Sequence, residues 1–163
     1  MDFISELAEL AMATRLKRLS ERLTQDVNKI YKELNFDFEA KWYLVLELLS
    51  RKKTLSIVDI ADDLKLTHPA IVQFVDQMLK AKLITASKDS KDKRKRLVTL
   101  SANGKKLLVQ LTPVLAILKA ENERWLSEAD ANLLVIMGQL EKALDERSLY
   151  QRLKEQLEPA NKQ

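Results

Sequence analysis

Apolar residues recur every three or four positions at the start of the chain, which is the period of an α-helix. This stripe predicts one long helix over residues 3–34, with polar residues on the opposite face. The closing part of the chain has the same period. It predicts a helix from Ser101 to about Leu118 and a last helix from Ser127 to about Glu155.

Shorter elements are predicted in the middle of the chain. A second helix is expected over residues 38–51, followed by an extended segment at residues 54–55. Ser56 with an acid three positions later, Asp59, is typical of a helix start, because the serine can cap the first turn and the helix dipole favours a carboxylate there. A short helix over residues 57–64 is therefore expected.

A second start signal follows after two residues. Thr67 is a candidate N-cap, and Pro69 lies in the first turn, where its missing N–H costs little, so a helix is predicted over residues 67–81. Residues 83–87 and 96–100 have the alternation of strands, and the polar stretch between them predicts a hairpin tip. Two short helices joined by a tight turn and followed by a hairpin predict a winged helix-turn-helix.

The length of 163 residues fits one domain, residues 1–163. The predicted fold is mainly α with a small β-hairpin: a winged helix-turn-helix at residues 36–101, flanked by long dimerisation helices at residues 1–35 and 102–158. Helices this long cannot bury their whole apolar stripe in so small a domain, which favours a dimer seam over an intramolecular core. The expected seam residues are Leu7, Leu16, Leu23, Leu140, Leu153 and Leu157.

Composition excludes most enzyme classes. There are two glycines, no cysteine and one histidine, so a dinucleotide fingerprint, a phosphate loop, a thiolate site and any site with two histidines are ruled out. We therefore predict no catalysis, no metal and no cofactor. No apolar run approaches a membrane span, and the first residues lack the basic and apolar regions of an export signal, so the cytoplasm is the expected location.

Positive charge is concentrated in the centre of the chain. Residues 80–106 hold ten Lys or Arg and two Asp, whereas the remainder holds 18 basic and 22 acidic residues. This asymmetry indicates a polyanionic partner, although a solvated loop has the same composition. The candidate contacts on the hairpin are Lys91, Lys93, Arg94, Lys95 and Arg96. We expect Asp92 to orient Arg94 by an ion pair.

The second helix of the helix-turn-helix leaves its N-terminal outer face free to enter a major groove. The candidate DNA-binding residues on that face are Thr67, His68, Ala70 and Gln73. Gln73 could pair with adenine or be an ordinary exposed glutamine, and Thr67 is first an N-cap. For His68 we favour groove contact over pH sensing.

The wing carries a family resemblance. Asp92-Lys93-Arg94, then Val98-Thr99-Leu100-Ser101 and Gly104, resembles the wing signature of the MarR family of bacterial transcription regulators, and the run from Ala70 to Met78 is similar to its recognition helix. The resemblance covers essentially the whole chain. It implies a homodimer joined by the first and last two helices, with recognition helices in successive major grooves of a pseudo-palindrome. It also implies that Arg94 reaches into DNA and that a small effector weakens binding.

Three positions depart from the family pattern. Where the family often has a Ser or Thr followed by a basic residue, this chain has Val72-Gln73. Lys82 stands where the family usually has glycine, and His68-Pro69 replaces small polar residues. The recognition helix is therefore poor in positive charge. The leading prediction is a homodimeric transcription regulator that binds double-stranded DNA. The low charge supports the alternative, in which the winged helix is a protein-interaction module within a larger assembly.

Three aromatic residues are candidates for an effector pocket between the dimer arms and the helix-turn-helix. They are Tyr31, Trp42 and Tyr43, although aromatic residues at helical spacing are more often core.

Overall fold

The computed structural model describes residues 2–160, with side chains described to residue 157. The chain divides into two compact units, residues 1–111 and 112–163. Eight helices and three strands are described within residues 2–160. The helices are α1 (Phe3–Glu6), α2 (Met12–Glu33), α3 (Tyr43–Lys52), α4 (Ile57–Leu64), α5 (His68–Lys80), α6 (Ala102–Leu126), α7 (Leu133–Glu146) and α8 (Leu149–Ala160). The strands are β1 (Thr54–Ser56), β2 (Ile84–Lys88) and β3 (Arg96–Leu100), and 3₁₀ turns cover Ala8–Ala11 and Ala40–Trp42.

The winged helix-turn-helix is confirmed. α4 and α5 follow each other across a short turn, and the three strands form an antiparallel sheet in the order β1-β3-β2. Ile84 faces Leu100 and Lys88 faces Arg96 across the hairpin. Val98 and Leu100 point to the same face, and both are buried.

The core of the first unit lies between this sheet and the helices. Leu46 of α3, Ile60 of α4 and Ile71 and Met78 of α5 are fully enclosed. Each of these side chains contributes roughly 1.5–3 kcal/mol by its burial. The predicted apolar faces of these helices are therefore the buried faces, and the opposite face of α5 is free.

The predicted helix over residues 3–34 is interrupted, so this prediction was wrong at its start. Ala8 has a positive φ of 47°, and the chain passes from α1 through a 3₁₀ turn into α2. No glycine or proline marks the break, and the apolar period continues across it. A second difference is small: the predicted helix over residues 38–51 begins with the 3₁₀ turn Ala40–Trp42.

The helices of the C-terminal part also differ from their predictions. α6 is capped by Ser101 as predicted, since the Gly104 N–H donates to the Ser101 hydroxyl at 3.0 Å. It runs through Pro113 to Leu126, past the predicted end and up to the predicted start of the next helix. Asn132 caps α7 instead, accepting the Val135 N–H at 3.1 Å.

The predicted last helix is divided into α7 and α8. Arg147 is extended (φ −154°), and Ser148 starts α8 by exchanging hydrogen bonds with Gln151. Arg152 then bridges the two helices, because its guanidinium donates to the carbonyl oxygens of Ala143 at 2.8 Å and Arg147 at 2.9 Å.

Most large apolar residues of the outer helices are exposed. All six predicted seam leucines belong to this exposed set, including Leu16 at 54% and Leu157 at 62%. Among residues 112–157, whose burial is described, none is buried. Helices with this much exposed apolar surface need a covering partner to be stable in water.

Candidate nucleic-acid interface

Each helix of the helix-turn-helix starts at an N-cap, Ser56 for α4 and Thr67 for α5. Ser56 and Asp59 form a capping box: the Asp59 N–H donates to the Ser56 hydroxyl at 3.1 Å, and that hydroxyl donates to the Asp59 carboxylate at 2.7 Å. The donated Ser56 hydroxyl, together with the Ser56 N–H at 3.1 Å, lowers the pKa of the Asp59 carboxyl. Lys65 ends α4 in the left-handed conformation (φ 53°), and Thr67 caps α5 by accepting the Ala70 N–H at 3.4 Å. α5 therefore begins in a defined direction.

The N-terminal outer face of α5 is open to solvent. Thr67, His68 and Gln73 are exposed, and Ala70 is half-buried. Phe74 is half-buried and lies below the Lys41 ammonium, which is 5.8 Å from the ring centroid. The four predicted groove residues thus lie together, on the helix face that the core leaves free.

The tip of the wing is held by two aspartates. The Asp89 carboxylate accepts the N–H groups of Lys91 at 2.6 Å and Asp92 at 3.1 Å. Those two backbone donors lower the pKa of Asp89. Asp92 in turn accepts the Arg94 N–H at 3.1 Å, and the Arg94 Nε lies 3.4 Å from the same oxygen. The expected contact between Asp92 and Arg94 is present.

The basic side chains of the wing fall into two groups. Lys91, Lys93, Arg94 and Lys95 are exposed, and the Arg94 side chain is 94% exposed. Arg96 is different: it is half-buried, and its Nη1 lies 2.9 Å from the Asp76 carboxylate on α5. Four of the five predicted cations therefore project at the tip, and the fifth contacts the recognition helix.

The base of the wing is held by hydrogen bonds that the sequence patterns did not predict. The Ser101 hydroxyl donates to the Lys82 carbonyl at 2.7 Å, and the Ser101 N–H donates to the Leu83 carbonyl at 3.0 Å. Lys82 has a positive φ of 58°, which explains in physical terms why glycine would suit this position. Asp76 was also missed. Asp76 lies three residues after Gln73 and therefore on the same helical face, and this spacing could have identified it as part of the candidate interface.

The aromatic candidates for an effector pocket pack inside the first unit. Tyr31 is buried against Phe38, with ring centroids 5.3 Å apart, and burial raises the pKa of its phenol. Trp42 is buried too, and its Nε1 donates to Gln77 of α5 at 3.0 Å. Tyr43 is half-buried. Ligand binding by these residues stays a prediction.

A cavity of about 540 Å³ lies elsewhere, along the start of α2. Its lining consists of Ala8, Glu9, Met12, Arg15, Leu16, Arg18, Leu19 and Arg22.

Within the described part of the chain, no three acidic or histidine side chains are grouped as metal ligands. No helix within residues 2–160 combines the length and apolar character of a membrane span.

Comparisons with known proteins agree with this geometry. Residues 40–95 match the MarR family. No curated protein matches the chain. Among solved structures, a single-residue mutant of Escherichia coli MarR in complex with operator DNA superposes with a TM-score of 0.67 at 17% identity, covering 88% of this chain and 99% of that one.

Two further structures have the same fold. The transcriptional regulator BldR from Sulfolobus solfataricus gives a TM-score of 0.63 at 24% identity, over 90% of this chain and 99% of that one. The MepR–DNA complex of Staphylococcus aureus gives 0.63 at 20% identity, over 82% and 96%. The family match thus covers residues 40–95 of this chain, and the chain shares the winged-helix fold of these solved structures.

Proposed function

We propose that the protein is a homodimeric transcription regulator that binds double-stranded DNA in the cytoplasm. The observation that carries this proposal is the wing tip, whose four cations project into solvent beside the open face of a recognition helix. Such cations bind phosphates by releasing counterions, and this makes affinity fall with salt. Relatives of the same fold, E. coli MarR and S. aureus MepR, were crystallised with DNA.

The dimer is part of the same proposal. All six predicted seam leucines are exposed, and α7 and α8 bury none of the side chains described in them. A second copy would cover these faces and present two recognition helices to successive major grooves. A two-fold arrangement of readers matches a pseudo-palindromic site.

Within one subunit, charge and position suggest different DNA contacts for different residues. Lys91, Lys93 and Lys95 supply phosphate contacts that carry no sequence information. Arg94 is held by Asp92 at the tip, where its guanidinium can enter a minor groove. Gln73 and His68 are the candidates for base contacts from α5.

Regulation by a small organic effector is proposed as well, by analogy of fold. The structure of Streptomyces coelicolor PcaV, with a TM-score of 0.60 at 20% identity, contains that protein's natural ligand. We propose no catalytic activity and no cofactor.

The test is a DNA-binding titration with a matched control. Duplexes selected from a random library by the purified protein are titrated by fluorescence anisotropy with wild type, Arg94→Ala and Arg124→Ala. Arg124 is an exposed arginine outside the wing and serves as the control. We expect Arg94→Ala to weaken binding about tenfold or more and Arg124→Ala to have no effect.

Unchanged affinity for Arg94→Ala would favour the alternative function, a winged helix that binds another protein. Two features of α5 support that alternative. Asp76 places an acid on its outer face, and the helix has no Lys or Arg before Lys80.

A further inference from the structure

One ion pair connects the two parts of the winged helix that would touch DNA. Arg96 is the first residue of β3 and faces Lys88, the last residue of β2, so it lies where the wing tip begins. Its Nη1 is 2.9 Å from the carboxylate of Asp76, which belongs to the middle of α5. The pair joins residues that are 20 positions apart in the chain.

The charge of Asp76 makes this contact consequential. The carboxylate lies on the same helical face as Gln73, and its side chain is 50% exposed. An unpaired carboxylate on a helix that approaches phosphates would repel DNA. Arg96 compensates that charge, and the same contact holds its guanidinium against α5.

We propose that Asp76 and Arg96 are positioning residues, which hold the wing at a fixed angle to α5 so that both engage DNA as one unit. This inference rests on the proposed function and deepens it. The pair sets the preference for a selected site over random DNA, because a selected site requires helix and wing to fit at the same time. Binding to random DNA depends on the tip cations and does not require that fit.

The expected effect is moderate, because both side chains are partly exposed, Arg96 at 39% and Asp76 at 50%. Exposed ion pairs of this kind correspond to about 1.5- to 5-fold in an equilibrium constant. A dimer contains two such pairs, so their loss should lower affinity for a selected site by about 2- to 25-fold.

The experiment compares three full-length proteins on two DNAs. The proteins are wild type, the double variant Asp76→Ala/Arg96→Ala, and the charge swap Asp76→Arg/Arg96→Asp, all with the same net charge. The DNAs are a duplex selected by the wild type and a random-sequence duplex, titrated by anisotropy at several salt concentrations. Urea unfolding of each variant confirms that it is folded at the assay temperature.

We expect the double alanine variant to lose affinity for the selected duplex by the factor given above. Its affinity for random duplex, and the slope of log K against log salt, should equal those of wild type. The charge swap should recover the lost preference, because it rebuilds the ion pair in reverse.

Three results would overturn the positioning role while leaving DNA binding intact. The first is an equal loss on both duplexes with a slope smaller by about 0.9 per subunit, which identifies Arg96 as a phosphate ligand. The second is no loss on either duplex. The third is a folded charge swap that fails to recover the preference. Absence of binding by the wild type would instead overturn the proposed function, and the positioning role with it.

Discussion

Gly104 gives the sharpest prediction about stability. It lies in the first turn of α6, directly beneath the start of the wing. A Cβ at this position would overlap the Leu83 carbonyl oxygen and lie 3.1 Å from its carbon and 3.2 Å from Leu100 Cδ2. The obstacle is backbone, and the same carbonyl accepts the Ser101 N–H at 3.0 Å, so it cannot move without straining that hydrogen bond.

The magnitude follows from three contributions. Overpacking a close-packed site costs about 1–3 kcal/mol. A weakened Leu83–Ser101 hydrogen bond costs about 1 kcal/mol. The higher helix propensity of alanine returns about 1 kcal/mol. Gly104→Ala should therefore lower the free energy of unfolding by about 1–3 kcal/mol.

Urea unfolding followed by circular dichroism measures this change, at one fixed protomer concentration because a dimer's stability depends on it. Gly138→Ala is the matched control, since within the described residues nothing beyond its chain neighbours and the adjacent backbone of its own helix lies within 4 Å of the added methyl group. It should gain about 0.5–1 kcal/mol. A Gly104→Ala variant with an unfolding midpoint equal to that of wild type would refute the close approach.

Three other predictions concern a backbone strain, a cap and the dimer. Lys82→Gly should raise the free energy of unfolding by about 0.5–1 kcal/mol, measured by urea unfolding, because glycine adopts a positive φ without strain; a loss would contradict the left-handed backbone. Asp59 has a lowered pKa because Ser56 donates to its carboxylate. Its contribution to the free energy of unfolding is therefore complete above the unfolded pKa of about 3.9 and is lost as pH falls through the lower folded pKa. The difference in unfolding free energy between wild type and Asp59→Ala should therefore be constant from neutral pH to about pH 5 and shrink below about pH 4; a constant difference down to pH 2 would exclude the capping role. Leu140→Lys should raise the dimer dissociation constant about 100-fold or more in analytical ultracentrifugation, because both copies lose a buried leucine; an unchanged constant would remove α7 from the seam.

Short-range signals explain what the sequence predicted well. The bounds of α4 and β3 were predicted correctly, because Ser56, Asp59 and the alternation around Val98 act within a few residues. The start of α8 was also encoded locally. Ser148 and Gln151 have the spacing of a capping box, and this pattern was missed because the apolar period continues across the break.

Long-range contacts explain what the sequence did not predict. The close approach of Leu83 to Gly104 and the pair of Asp76 with Arg96 both join residues about 20 positions apart, which the fold alone brings together. Arg96 was therefore grouped with the other wing cations. Likewise, the positive φ of Ala8 has no marker in its residue type.

The central claim, that the wing tips bind duplex DNA through phosphates, is tested most directly by the salt dependence of wild-type binding to a random duplex. Each subunit carries four exposed tip cations, and each phosphate contact contributes about 0.9 to the slope of log K against log salt. We predict a slope between about −4 and −7 for the dimer, which becomes shallower by up to about 5 when Lys91, Lys93 and Lys95 are replaced by glutamine. A slope near zero, or one that these three substitutions leave unchanged, would contradict the claim.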